Sequence, residues 1–156
     1  MATGRSETVF ELRPARSNRT VVVLVSDLDR RLVPAIRFVA GLRQVQLRAM
    51  HVSVDPDRTR RLADDWADLG LSWLPLEIEP PAAGGVAESV AAALRREASE
   101  DNPVTVVVPE LDFPRRWQGL LHRRSARRIA GHLQAVPGVT AVVVPSFVDA
   151  GAAGAP

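Results

Sequence analysis

Thr20-Val-Val-Val-Leu-Val25 is an unbroken apolar run rich in β-branched residues. That is the pattern of a strand buried on both faces. A polar turn, Ser26-Asp27-Leu28-Asp29, follows it. From about Arg31 to Val45, Leu32, Ile36 and Val39 recur at helical spacing. Pro34 falls in the first turn, where its missing N–H does little harm. Leu47 to Val54 reads as a second strand. Asp55-Pro56 then joins an N-cap residue to proline at the first helical position. Leu62, Trp66 and Leu69 mark the apolar stripe of that helix, and Gly70 closes it. Leu71 to Ile78 predicts a third strand; Pro75 interrupts it and favours an edge position. After the loop Pro80 to Gly85, Val86, Val90 and Leu94 predict a helix ending near Asp101. Val104 to Pro109 predicts a fourth buried strand. A long polar connection and a helix to about Ala135 follow, stopped by Pro137-Gly138, and Val139 to Val144 predicts a fifth strand.

Strands that alternate with helices imply an α/β fold, because parallel strands need crossovers. Right-handed crossovers make a five-stranded parallel doubly wound sheet, order 3-2-1-4-5, the expected architecture. Such sheets bind ligands outside the carboxyl ends of the strands, where the strand order reverses. Here that crevice lies between strands one and four. Its rims are Ser26 to Arg30 and Pro109 to Trp117. The domain is expected over residues 19–147, after a polar leader (1–18) expected to be disordered and before a low-complexity, disordered tail (148–156).

Composition narrows the chemistry. At 156 residues, 46% hydrophobic and 24% charged, the chain suits one globular domain with a core of its own. It has no cysteine, which excludes disulfides, iron–sulfur clusters and thiolate zinc sites. No apolar run approaches the roughly 20 residues of a membrane span, and no signal-peptide core opens the chain. A cytoplasmic domain is expected. All twenty basic residues are arginine, so every cation is a planar fork suited to phosphate and none can act as a Schiff-base lysine. Residues 102–156 hold six Arg against three acids, and all six lie between Arg115 and Arg128, a stretch without an acid. A local excess of this kind is a candidate anion site.

The rims carry the candidate residues. Ser26 and Asp27 can cap the next helix or hydrogen-bond a sugar or base edge. His51 and Ser53 lie at the end of the second strand, where His51 alternates with apolar residues and can equally be a packed core histidine. The three histidines, His51, His122 and His132, match no metal-ligand spacing, and a metal site is not expected. The most distinctive stretch is Pro109-Glu110-Leu-Asp-Phe113-Pro-Arg115-Arg116-Trp117, continuing through His122, Arg123, Arg124 and Ser125. It sets two arginine pairs and an aromatic plane beside the expected start of the last long helix. A helix N-terminus attracts anions, and cations there make sense when an anion lies between. The alternative is a solvated basic face with Trp117 as a packing anchor. No G-x-S-x-G, Walker lysine or catalytic carboxylate pair is present, so no enzymatic activity is expected.

The chain order from about Arg19 to Phe147 resembles the universal stress protein fold, an adenine-nucleotide-binding domain. Its specific words resemble a branch of that fold, the cytosolic C-terminal domain of amino-acid and potassium permeases of the amino acid–polyamine–organocation superfamily. Those words are Val108-Pro109-Glu110, Pro114-Arg115-Arg116-Trp117, Leu120-Leu121-His122 and Pro137-Gly138-Val139, with Ala49 to Asp55 similar to its second strand. The glycine-rich phosphate loop of ATP-binding stress proteins is replaced by Phe113 to Trp117, and Arg123-Arg124 falls where its Gly-Ser would be. Some members of the permease branch are similar to receptors for cyclic di-AMP, a messenger with two phosphates and two adenines. The resemblance therefore implies a non-enzymatic sensor of cyclic di-AMP, ahead of ATP or AMP, linked to a membrane permease. No cofactor is implied. Arg115, Arg116, Arg123 and Arg124 would hold phosphate with Ser125, Trp117 or Phe113 would stack, and the ligand's two-fold symmetry would suit a homodimer. The rival expectation is a ligand-free dimerisation module paired through the fifth strand. Nucleic-acid binding is disfavoured by the small net charge of +2 and the lack of aromatic residues on the sheet.

Overall fold

The apolar runs become the interior strands of one sheet because each is covered on both sides. The computed structural model describes residues 19–30, 32–43, 45–110 and 119–145, with the side chains of 119–125 outside that description. The expected leader and tail lie outside the described residues. In chain order the elements are β1 (Arg19–Leu24), α1 (Leu32–Ala40), β2 (Val45–Val52), α2 (Pro56–Asp68), β3 (Leu76–Glu79), α3 (Val86–Arg95), β4 (Val104–Glu110), α4 (Gly119–Gln134) and β5 (Val139–Pro145). The sheet is parallel throughout, in the order β3-β2-β1-β4-β5, as the alternating pattern predicts.

Successive residues of a strand point to opposite faces, and the two cores divide accordingly. Val22, Met50, Val104 and Val106 pack against Val90 and Leu94 of α3 and Leu133 of α4. Val21, Val23, Ala49 and Val107 pack on the other face, against Ala35 and Val39 of α1 and Leu62 and Trp66 of α2. Helices α1 and α2 thus share one face and α3 and α4 the other. The chain changes faces between β3 and β4, so the strand order reverses between β1 and β4.

Several boundaries differ from the sequence pattern, each for a local reason. Helix α1 stops at Ala40, five residues early, where the Leu42 N–H bonds the Val39 carbonyl in a tighter turn (3.0 Å). Strand β2 ends at Val52, because Val54 N–H turns back onto the Val52 carbonyl (2.9 Å). The largest difference is β3. Residues 71–74 form a turn, with Leu74 N–H on the Leu71 carbonyl (2.9 Å), and only Leu76–Glu79 pairs with β2. Leu74 is fully buried, and its carbonyl accepts the Trp66 indole N–H (2.9 Å). The apolar letters before Pro75 therefore close α2 onto the core rather than extend the sheet. Pro75 stands outside the strand and contributes only its carbonyl, to Ala49 N–H (2.7 Å). Helix α3 ends at Arg95 rather than near Asp101, because Asn102 folds back: its side-chain amide donates to the Glu97 carbonyl (3.0 Å). Among the described residues, no helix is long and apolar enough to cross a membrane.

Two glycines with positive φ separate backbone strain from steric exclusion. Gly70 (φ 71°) ends α2, and a Cβ there would meet nothing within 4 Å. Gly138 (φ 77°) leads into β5, its carbonyl bonds Val104 N–H (2.9 Å), and a Cβ there would lie 2.4 Å from the Ser99 carbonyl oxygen. Gly70→Ala should cost about 1–2 kcal/mol, the strain of a left-handed alanine. Gly138→Ala should cost clearly more, because the β4–β5 junction must also move. Urea denaturation of both variants checks the order; equal losses would contradict it.

Candidate functional site

At the carboxyl end of the sheet, β1 leads into α1 on one face, whereas α3 and α4 cover the other. The space left between them is a cavity of about 610 Å³, within the range of small-molecule sites. Its floor is apolar: Leu24, Met50, Val52 and Val108 from the strands, with Val90 and Ile129 from α3 and α4. Its mouth is polar, formed by Ser26, Asp27, Asp29, Arg58, Arg128 and the Pro109 region. A second groove of about 560 Å³ runs beside α1, lined by Val33, Ile36, Leu69 and Leu71 among others. It shares Asp29 and Leu32 with the first cavity but is lined by no strand residue.

The crevice therefore lies where the strand order predicts it. Ser26, Asp27 and Pro109 line it. Phe113, Arg115, Arg116 and Trp117 lie outside the described residues. His122, Arg123, Arg124 and Ser125 fall within α4, with side chains outside the description. Because α4 begins at Gly119, the Arg123-Arg124 pair sits in the second turn, not at the helix start as expected.

His51 and Ser53 form a polar layer beneath the mouth rather than its lining. His51 is buried, with Nδ1 2.8 Å from the Val25 carbonyl and Nε2 3.0 Å from Thr59 Oγ1. A carbonyl only accepts, so Nδ1 carries the donated proton. Nε2 lies against the Thr59 hydroxyl, whose single proton is also within reach of the Asp55 carbonyl (3.0 Å). Ser53 Oγ lies 3.0 Å from the same hydroxyl. The imidazole ties the end of β1 to the first turn of α2, and with it the positions of Ser26 and Asp27.

The pattern along the chain does not point to Arg58, and it holds Arg128 only as the end of the arginine-rich stretch. Arg58 lies in the first turn of α2. Its backbone N–H is held by the Asp55 carboxylate (3.2 Å), which also caps Asp57 N–H (3.0 Å). Its guanidinium reaches Asp27 (2.6 Å). The Asp55 cap was the available signal: strand β2 neighbours β1, so the first turn of α2 opens onto the same crevice. Arg128 comes from α4; its neighbour Arg127 approaches Glu110 at 4.0 Å.

Helices α3 and α4 close one side of the cavity and are clipped by Glu88. Its carboxylate accepts from Arg95 (2.8 Å) on its own helix and lies 2.9 Å from His132 Nε2 on α4. The Arg95 hydrogen bond, followed by that of His132, holds the Glu88 carboxyl below its ordinary value of 4.5. A lowered carboxylate stabilises the fold above 4.5 and loses that contribution as pH falls through the lower folded value. Glu88→Gln should therefore lower the melting temperature at pH 7, with the difference shrinking as pH drops below 4.5; a difference independent of pH would contradict the clip. His51→Leu removes both ring hydrogen bonds from a buried site and should cost about 2–3 kcal/mol. Urea denaturation checks this, and a loss under about 0.5 kcal/mol would show the polar layer to be dispensable.

The KimA potassium transporter C-terminal domain family matches residues 16–146. No curated protein gives a significant match. The matched span runs through all five strands and both walls of the cavity. On that evidence the chain belongs to the family of KimA potassium transporter C-terminal domains.

Proposed function

We propose that the chain is a non-catalytic regulatory domain of a potassium transporter that binds cyclic di-AMP at the carboxyl ends of β1 and β4. The observation that carries this reading is the cavity itself. An apolar floor suits an adenine ring, and a mouth bearing Arg58 and Arg128 suits a phosphate. The arginine-rich segment 115–128 supplies further forks. In this reading the domain is universal stress protein-like. ATP and AMP are weaker ligands, because the glycine-rich phosphate loop is replaced. The domain works on the cytoplasmic side of the membrane beside the permease. Two domains related by a two-fold axis would match the symmetry of the messenger.

A second reading is favoured by one feature. Strand β5 is an edge of the sheet, and its Thr140-Ala-Val-Val-Val-Pro145 stretch could pair with a second copy without any ligand. The two readings divide cleanly in a binding experiment. Titration calorimetry against cyclic di-AMP, AMP, ATP and cyclic di-GMP should give the tightest binding to cyclic di-AMP. Affinity should fall as salt screens the exposed guanidinium groups. The double variant Arg115→Ala with Arg124→Ala should weaken binding roughly 10- to 100-fold, the loss expected for one or two charge-assisted hydrogen bonds. Unchanged affinity would remove the clamp. No heat from any nucleotide, together with a concentration-dependent dimer, would favour the ligand-free module.

A further inference from the structure

The mouth of the cavity is not simply cationic. Two carboxylates, Asp27 and Asp29, stand with two guanidinium groups, Arg58 and Arg128. One pair is already joined: Arg58 Nη2 lies 2.6 Å from Asp27 Oδ2, across 31 residues of chain. Both partners remain accessible, with side chains 57% and 49% exposed. Arg128 makes no ion pair with any of the described residues.

We propose that Asp27 is a built-in competitor for the anion, occupying Arg58 until a phosphate displaces it and so setting the anion affinity of the cavity. This rests on the cavity being the phosphate-binding site of the preceding section. The argument is one of charge. Carboxylate and phosphate both accept from the guanidinium fork. A phosphate seated on the remaining Arg58 donors stands close to the Asp27 carboxylate, and like charges at that range repel. Water access makes the internal pair weak enough to exchange. The backbone of Arg58 does not have to move, because the Asp55 cap fixes the first turn of α2. The exchange is thus a side-chain event: Asp27 swings out and the phosphate takes its place, one anion replacing another on Arg58. A neutral ligand meets no such competition. Asp27 therefore discriminates by charge, whereas an Asp27 that merely hydrogen-bonded a sugar or base would favour all nucleosides alike.

The test uses the full chain with Asp27→Asn, Arg58→Ala and the double variant. Asparagine keeps an acceptor oxygen for Arg58 but removes the negative charge. Inorganic pyrophosphate is titrated while the Arg58 side-chain Nε–H resonance is followed by NMR, and cyclic di-AMP and adenosine are titrated by calorimetry. Asp27→Asn should bind pyrophosphate and cyclic di-AMP roughly 3- to 10-fold tighter and leave adenosine unchanged. Arg58→Ala should lose most pyrophosphate binding, and Asp27→Asn should bring no gain in that background. Equal or weaker pyrophosphate binding by Asp27→Asn overturns the proposal, as does a gain that persists without Arg58 or an Arg58 resonance that ignores pyrophosphate. If pyrophosphate behaves as expected and cyclic di-AMP binds to no form, the competitor stands and the messenger assignment falls. The reverse pattern leaves the messenger and removes the competitor.

Discussion

Burial of β1 and β4 on both faces is the constraint from which the rest of the molecule follows. Their Val-rich runs can leave water only if helices cover each side, and the parallel ladder forces every connection to cross over. The first two crossovers lie on one face and the last two on the other. Strands β1 and β4 then sit side by side while their following segments diverge. A hollow at their carboxyl ends is the geometric result, and it opens before any residue is chosen for chemistry.

That hollow has to be kept open yet shaped. The imidazole of His51, bonded to the Val25 carbonyl and to Thr59, fixes the exit of β1. The Asp55 carboxylate fixes the entrance of α2 by taking two of its free N–H groups. Glu88 joins α3 to α4 on the far side. His51 and Glu88 each span two elements that border the cavity, and the Asp55 cap holds the end of one. The walls are therefore set by buried or charge-assisted hydrogen bonds, while the floor is set by non-directional packing. The pair at the mouth, Asp27 with Arg58, is the exception. It is exposed, and exposed ion pairs contribute little to stability, about 0–1 kcal/mol. Such a pair is better placed to be exchanged than to hold the fold.

Much of this was legible in the order of residues. Two-sided burial shows as uninterrupted β-branched runs, so β1 and β4 are found within about one residue of their ends; β5, a half-buried edge, is found as closely from its own Val-rich run. The strand order and the crevice follow from topology rules that do not depend on side-chain detail. Legibility failed where an apolar letter has more than one use. Leu71 to Leu74 reads as strand but closes α2, because a buried leucine in a turn and one in a strand look the same in sequence. Asn102 ended α3 early through a side-chain bond to the Glu97 carbonyl that no periodicity reveals. At the site, the densest arginines lie in residues 115–128, a stretch that contains Arg128 but not Arg58. Arg58 sits among solubilising charges on the exposed face of α2, and only the adjacency of β2 to β1 turns it toward the cavity.

The absence of lysine bears on how such a mouth can work. An ammonium is a compact, strongly hydrated point charge, whereas a guanidinium offers five donors in one plane. Asp27 engages one Arg58 nitrogen, and among the described residues nothing takes the other donors of the fork. In the proposed exchange, a phosphate begins to bind before the carboxylate has left, so Arg58 never stands as a bare cation. The same geometry explains why the mouth tolerates two carboxylates. A cavity lined only by arginines would hold any polyanion, from inorganic phosphate to nucleic acid. In the proposed reading, a cavity whose cations are half-answered from within holds bare phosphate less tightly, and the apolar floor beneath is what a base ring can add.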